Sequence, residues 1–174
     1  MFMHQKALIS CRKQPRGQAT VELAFVLPIF LLLLVGIMEV ARVIFIYNAV
    51  YTASREAARY GASTGLATSG VHRYDDCAGM RAQAKNTGIL AQLTDADIAI
   101  AYDSGPDALG NTVVKGTCTG AENVLELGDR VVVTVTKTYT TLVPIANFTF
   151  PITSTTGRTL IKDLDVNWIP TPIP

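Results

Sequence analysis

The stretch RGQATVELAFVLPIFLLLLVG, residues 16–36, decides the architecture of this chain because it is long and apolar enough for a membrane. No residue from 23 to 38 is charged. As a helix, the apolar run 18–38 measures about 30 Å, which matches the hydrocarbon core of a bilayer. The stretch nevertheless carries a carboxylate, Glu22, close to its start. A membrane segment with an acid at its entrance needs a chemical explanation.

A basic peptide precedes this segment. Residues 1–21 contain four cations and no acid, and the cations are Lys6, Arg12, Lys13 and Arg16. Positive charge before an apolar span predicts that the N-terminus stays in the cytoplasm and that the rest of the chain is exported. The chain is therefore expected in the inner membrane, which it crosses once.

A cleaved secretory signal peptide is the alternative interpretation of the N-terminus. Such a peptide has a shorter apolar core, followed by a small-x-small cleavage site. Here the apolar segment continues into VARVIFIYNAVYTASREAARYGA, residues 40–62, which still has a helical pattern. The sequence favours a retained anchor.

Composition limits the possible classes of protein. The chain has 174 residues, of which 49% are apolar and 17% are charged, with a net charge of +1. This length allows one modest domain and a membrane element. A nearly neutral chain gives no reason to expect a nucleic-acid partner.

One long helix is predicted from about residue 19 to residue 62. Pro28 should kink it or loosen its hydrogen bonds. Its second half is amphipathic, with a stripe formed by Val40, Ile44, Tyr47, Tyr51, Ser54 and Ala58, and with Ala57 and Gly61 alongside. The stripe fits two partners equally well, the globular part of the same chain or neighbouring copies of the helix. Tyr47 and Tyr51 fit either core packing or an aromatic belt at the membrane surface.

The helix also carries two pairs of opposite charges at a spacing of three residues. Glu39 precedes Arg42, and Glu56 precedes Arg59. Side chains three residues apart meet on one helix face, so both pairs are expected to form ion pairs.

The remainder of the chain predicts a small α+β head with an antiparallel sheet packed against helix. Its expected elements are a loop at 61–76, a short helix at 77–92, strands at 96–103, 112–118 and 128–141, a loop and a further strand within 143–164, and a proline-rich tail at 167–174. The segment 128–141 is the clearest strand because β-branched residues alternate along it. The domains are thus a leader at 1–17, a long helix at 18–62 with its transmembrane segment at about 18–38, and an exported head at 63–174.

Three cysteines are present, Cys11 in the leader and Cys77 and Cys118 in the head. Two cysteines in an oxidising compartment suggest a disulfide, while two free buried thiols remain the alternative. No CxxC spacing or histidine cluster supports a metal site, so no metal and no cofactor are expected.

The acid at the membrane entrance finds a partner if the chain is cut after Gly17. Gln18 then gains a free α-amino group, one helical turn from Glu22. This cation neutralises the acid, either within one chain or across to a neighbouring helix, where the pairing would set the register of packed helices. The alternative is a glutamate at the edge of an ordinary anchor, whose side chain reaches water.

These features resemble a known family. GQATVE at residues 17–22, the proline-containing apolar segment, Glu39 with Arg42, and REAAR at residues 55–59 resemble the TadE-like pseudopilins of the tight-adherence (Flp, type IVc) pilus. The strand region 128–155 has a weaker similarity to the family. The resemblance implies that a membrane-embedded aspartic prepilin peptidase cuts between Gly17 and Gln18.

The resemblance also implies a structural role. Major Flp pilins are very short and usually carry a tyrosine after the glutamate, whereas this chain has Leu23 and a large C-terminal domain. Both departures favour a minor pilin or pseudopilin over the main filament subunit, and the resemblance implies that it acts in pilus assembly, adhesion and biofilm formation. The implied partners are other pilins and pseudopilins, the prepilin peptidase, the inner-membrane assembly platform and the lipid bilayer.

Two other functional classes were weighed. A membrane-tethered periplasmic binding or receptor domain with an uncleaved anchor is the main alternative. An anchored enzyme is disfavoured because the head shows no plausible set of nucleophile, base and orienting residue. His72 is expected to be solvated. Four aspartates are expected to be turn residues rather than calcium ligands, namely Asp75, Asp76, Asp103 and Asp107. Asn147 lies in an N-glycosylation sequon, but in a bacterial-type export context this sequon does not indicate glycosylation.

Overall fold

The structure is a computed structural model that describes residues 17–118, 125–142 and 148–162. The chain forms two compact units, Met1–Val40 and Ala41–Pro174. The basic leader, Asn147 and the proline-rich tail at 167–174 lie outside the described residues.

Two helices and four strands make up the described fold. They are α1 (Gln18–Gly61), α2 (Cys77–Thr87), β1 (Ile98–Asp103), β2 (Val114–Thr117), β3 (Arg130–Thr140) and β4 (Thr149–Thr159). The strands form one antiparallel sheet in the order β2-β1-β3-β4. The predicted α+β class, with a long N-terminal helix followed by a small antiparallel sheet and a short helix, is confirmed.

The first unit contributes the apolar beginning of α1. This is the one helix in the described part of the chain that is long and apolar enough to cross a membrane. No residue of its most apolar segment is buried within the protein. Phe25 is 74% exposed and Ile29 is 69% exposed. The helix continues through Pro28 without interruption. A continuous apolar surface of this kind suits a single-pass membrane anchor.

In the second unit, the end of α1 packs small side chains against the sheet. Ala53, Ala57 and Ala58 are fully buried, and so are the valines on the facing side of β3, which are Val131, Val133 and Val135. Alanine lets the helix approach the strand closely, and the β-branched valines fill the space between them.

The buried face of α1 differs from the predicted stripe. Ile44, Tyr47 and Tyr51 are 53%, 54% and 42% exposed, whereas Ser54 and Ala58 are buried as expected. The packed stripe is displaced by about one position around the helix from the predicted one, since Val43, Ile46 and Val50 pack against the core in place of Ile44, Tyr47 and Tyr51. The head therefore covers one face of α1 and leaves a second, larger-residue face exposed.

Polar contacts fix the direction of α1 over the sheet. The buried hydroxyl of Ser54 lies 2.9 Å from Ser154 Oγ and 3.0 Å from Thr156 Oγ1 on β4. Further back along the helix, the Arg42 guanidinium donates to the carbonyl of Thr140 at 3.1 Å. The helix thus runs antiparallel to β3 and parallel to β4.

The disulfide between Cys77 and Cys118 is confirmed, with a Cα–Cα distance of 5.7 Å. It ties the first residue of α2 to the residue that follows β2. The alternative of two free thiols is wrong.

Four predicted elements of the head have different bounds in the structure, and one of them is the strand predicted at 128–141, which spans Arg130–Thr140. The helix predicted at 77–92 ends at Thr87, and a 3-10 turn follows at Ile89–Ala91. The strand predicted from residue 96 begins at Ile98, because Asp95–Asp97 forms a 3-10 turn closed by a capping box of Thr94 and Asp97. The short strand predicted at 112–118 is shorter in the structure, where β2 spans Val114–Thr117.

Enlarging the buried face of α1 should destabilise the head. We expect Ala57→Leu to lower the free energy of unfolding by about 1–3 kcal/mol, because three extra carbon atoms must enter a packed helix–sheet contact. The control is Thr52→Leu, at an exposed position of the same helix, where we expect a change within about 0.5 kcal/mol. Urea unfolding of the detergent-solubilised chain measures both. Equal stability of the two variants would contradict the packing described.

Candidate functional site: the start of the apolar helix

Gly17 lies immediately before α1. Its carbonyl accepts a hydrogen bond from the Val21 amide at 3.3 Å, so it sits at the first turn of the helix. Among the described residues, nothing lies within 4 Å of the position that a side chain at residue 17 would occupy. The described fold therefore gives no packing reason for a glycine at this position.

The peptide bond between Gly17 and Gln18 is exposed, as is Glu22 one turn later. Residues 17–40 contain two carboxylates and no lysine or arginine. This end of α1 has backbone amides that lack a carbonyl partner within the helix. It is also the positive end of the helix dipole. A carboxylate four residues into the helix is thus favourably placed for a cation created at Gln18.

Glu39 and Arg42 lie in different units of the chain. Within the second unit, the Arg42 guanidinium stacks over the Tyr139 ring at 5.1 Å, in addition to its hydrogen bond to Thr140. The ion pair expected between Glu39 and Arg42 stays a prediction.

The REAAR element at residues 55–59 has a clear structural explanation. Its two alanines are buried in the helix–sheet contact, while Arg55 and Arg59 are exposed and Glu56 is half-buried. Glu56 and Arg59 form the predicted ion pair at 2.7 Å, and Arg55 lies over the Tyr51 ring at 5.3 Å. The element thus combines close packing on one side with a charged surface on the other.

Two of the four aspartates, Asp76 and Asp107, accept hydrogen bonds from nearby backbone amides. Asp76 accepts hydrogen bonds from the Gly79 amide and the Tyr60 hydroxyl, and so caps α2. Asp107 closes a turn by accepting from two backbone amides at 2.8 Å. Nowhere in the described ranges do three or more histidine, cysteine, aspartate or glutamate side chains form a group that could hold a metal. His72 stacks on Tyr74 at 5.1 Å.

Sequence reasoning missed an ion pair at the end of the sheet. Arg130 donates to both carboxylate oxygens of Asp103, at 2.7 and 2.8 Å. These hydrogen bonds, strengthened by the charge of Arg130, hold the pKa of the Asp103 carboxyl below its usual value. The two residues are partners across β1 and β3, so only the strand register could have revealed the pair.

A basic cleft was missed as well. It has a volume of about 410 Å³ and is lined by Thr52, Arg55, Glu56, Arg59 and Arg158. We refer to this set as the basic cleft. Sequence reasoning found Arg55 and Arg59 as parts of a motif, but their proximity to Arg158 on β4 depends on the tertiary fold.

Comparison with known proteins agrees with the resemblance seen in the sequence. The family model described as TadE-like protein matches residues 17–59. The match begins at Gly17 and ends at Arg59, the last residue of the REAAR element. The matched segment is 43 of the 174 residues and contains the motifs that carry the resemblance. No curated protein and no solved structure matches the chain. The weaker similarity at 128–155 stays a prediction.

The Asp103–Arg130 pair should make stability depend on pH. Because the pKa of Asp103 is lowered in the folded protein, the pair stabilises the fold above the ordinary carboxyl pKa, and this contribution is lost as the pH falls through the lowered pKa. We expect Asp103→Asn to cost about 1.5–3 kcal/mol at pH 7 and less at pH 3.

Urea unfolding of the full chain in detergent at both pH values tests this expectation. The matched control is Asp95→Asn, which removes an exposed ion pair with Lys85 at 2.9 Å and should cost less than about 1 kcal/mol. An Asp103→Asn effect as small as that of the control, or one that is unchanged at pH 3, would contradict the assigned role.

Proposed function

From the match of residues 17–59 to the TadE-like family, we propose that this chain is a minor pilin, or pseudopilin, of a tight-adherence (type IVc) pilus. Its role is assembly rather than catalysis, and through the pilus it serves adhesion and biofilm formation. The observation that carries the proposal is one helix with two kinds of surface. Its beginning is apolar and exposed, and its end forms the core of the second unit.

The proposed topology places the N-terminus in the cytoplasm and residues 63–174 outside the inner membrane. Two observations support it. The leader is basic, and cations before an apolar span are retained on the cytoplasmic side. The Cys77–Cys118 disulfide suits an oxidising compartment, where such bonds form and persist.

The proposed maturation is hydrolysis of the peptide bond between Gly17 and Gln18 by a prepilin peptidase. Water adds across the bond, the leader 1–17 leaves with a new carboxylate, and Gln18 keeps the amino group. Access by a protease is supported by the exposure of Gly17 and Gln18 and by the lack of any described residue within 4 Å of a side chain at position 17.

The new amino group then serves as the cation for Glu22. In a bundle of apolar helices, a charged group without a partner is strongly disfavoured, so pairing between neighbouring chains would fix their axial register. The proposed partners are other pilins and pseudopilins, which meet the apolar surface of residues 18–38 within the bilayer, together with the peptidase and the assembly platform.

Processing should depend on the absence of a side chain at residue 17. We expect Gly17→Leu to leave the chain as an uncut precursor, visible by immunoblotting of membranes with an antibody against the head. The matched control is Gly36→Leu, since nothing lies within 4 Å of this position either. We expect the control to be processed normally.

Two results would count against this assignment. Normal processing of Gly17→Leu would refute the position of the cut. A wild-type chain that keeps its leader in assembled, functional form would favour a membrane-tethered binding or receptor domain instead.

Glu22 should matter for assembly and not for membrane insertion. We expect Glu22→Gln to be inserted and cut like the wild type, since the change removes a charge from an exposed position and adds no bulk. We expect its recovery in complexes with other pilins to fall about tenfold or more, as the loss of one buried charge pair predicts. Co-purification from crosslinked membranes measures it. If Glu22→Gln is recovered in these complexes as well as the wild type, the charge of Glu22 does not set the axial register of the helices.

A further inference from the structure

The basic cleft collects positive charge from two elements of the head. Its charged lining residues are three arginines and one acid, namely Arg55, Arg59, Arg158 and Glu56. All of them belong to the second unit, Ala41–Pro174. Arg55 and Arg59 lie four residues apart on α1, a spacing at which like charges repel each other. The lining thus has an excess of two positive charges, which is destabilising by itself and is relieved by a bound anion.

The strand register explains why Arg158 lies on the side of the sheet that faces α1. Arg158 is paired with Val131 of β3, and paired residues of an antiparallel ladder place their side chains on the same face. Val131 is fully buried and lies 3.4 Å from where a Cβ atom at Gly61 would be. Thr156, two residues earlier on the same face, contacts Ser54 at 3.0 Å. Arg158 is therefore held beside the last turns of α1.

Two of the three arginines have a partner within the fold. Arg59 forms an ion pair with Glu56 at 2.7 Å, and Arg55 donates to the Tyr51 hydroxyl at 3.2 Å. A guanidinium has five N–H donors, so both arginines keep donors for a ligand. Among the described residues, Arg158 has no hydrogen-bond or ion-pair partner, and it is exposed. The described contacts therefore give no structural reason for an arginine at this position.

Arg59 and Arg158 also line a second cleft, which has a volume of about 570 Å³. Its remaining lining residues are all uncharged, and they are Ala62, Ser63, Gly157 and Thr159. One arginine from the helix and one from the strand thus lie between two open clefts. A ligand can reach this arginine pair from either side.

We infer that the basic cleft binds inorganic phosphate or a phosphate monoester, with the phosphate group between Arg158 of β4 and Arg55 and Arg59 of α1. Guanidinium groups match phosphate oxygens in both charge and hydrogen-bond geometry. A tetrahedral phosphate presents oxygens in several directions, which suits donors that approach from two separate elements. The Thr52 hydroxyl, which also lines the cleft, is a further donor.

The charge and the size of the cleft favour a dianion over a single carboxylate. A phosphate monoester carries a charge of about −2 at neutral pH, which balances the excess of the lining, whereas a carboxylate balances only half of it. The volume of about 410 Å³ exceeds what a phosphate ion needs and leaves room for the small organic part of a monoester. This binding site goes beyond the proposed role in pilus assembly and does not depend on it.

Isothermal titration calorimetry of the full-length chain in detergent tests the inference, with inorganic phosphate and glycerol 1-phosphate as probes. We expect one saturable site per chain, with a dissociation constant on the order of 1 mM or below. Tighter binding of glycerol 1-phosphate would identify a monoester as the ligand, and equal or weaker binding would identify inorganic phosphate. Dimethyl phosphate has a single charge and should bind about tenfold more weakly. No saturation by either dianion up to about 20 mM would overturn the inference.

Removal of the arginine without a described partner gives the first variant. We expect Arg158→Gln to lower the affinity for glycerol 1-phosphate by about tenfold or more, because the ligand loses a charge-assisted hydrogen bond. The matched control is Lys85→Gln, since Lys85 pairs with Asp95 at 2.9 Å and lines neither cleft. The control removes the same charge and should bind like the wild type. An equal loss in both variants would indicate a general effect of net charge and would contradict the site.

A change in the opposite direction gives the second variant. Glu56→Gln removes the one acid that lines the cleft and releases Arg59 from its ion pair. We expect the affinity for glycerol 1-phosphate to rise about two- to fivefold, the size of effect expected for one partly exposed charge. Arginines that served only the stability of the head would not bind phosphate more tightly after this change. An unchanged or lowered affinity would therefore overturn the inference.

Discussion

The structure depends on the contact between the small side chains of α1 and the valines of β3. Ala53, Ala57 and Ala58 bring the helix close to the sheet, and the buried hydroxyl of Ser54 is satisfied by two hydroxyls of β4. Ser54 Oγ also donates to the Tyr51 carbonyl within the helix at 3.0 Å, and the two hydroxyls of β4 are partners that a shifted helix would lose. The head also buries Val50 and packs against Val43 and Ile46, but it leaves Ile44, Tyr47 and Tyr51 of α1 exposed.

The two ends of α1 are used differently, and this difference connects the fold to the proposed function. The beginning of α1 is exposed and uncharged from residue 23 to residue 38, so it needs an apolar environment outside the chain. Gly17 and Glu22 lie at the start of this helix. Among the described residues, no contact gives either of them a structural role in the fold. Processing at Gly17 and assembly through Glu22 are the roles that we propose for them from the TadE-like match over residues 17–59.

Much of this architecture could be predicted from the sequence, because its signals are local. The bounds of α1, the strand β3 and the Cys77–Cys118 pairing follow from apolar runs, β-branched alternation and cysteine count. The buried face of α1 could not be predicted, since it depends on which residues the sheet supplies opposite the helix. The Asp103–Arg130 pair and the basic cleft were missed for a similar reason. They join residues that only strand register and helix packing bring together.

The most direct test of the account is the intact mass of the wild-type chain, recovered from membranes of the native host in which the pilus is assembled. We expect a mature chain that begins at Gln18 and contains one disulfide, since Cys77 and Cys118 are joined and Cys11 leaves with the leader. A chain in the assembled fraction that still begins at Met1 would contradict it, because Glu22 would then have no α-amino group beside it.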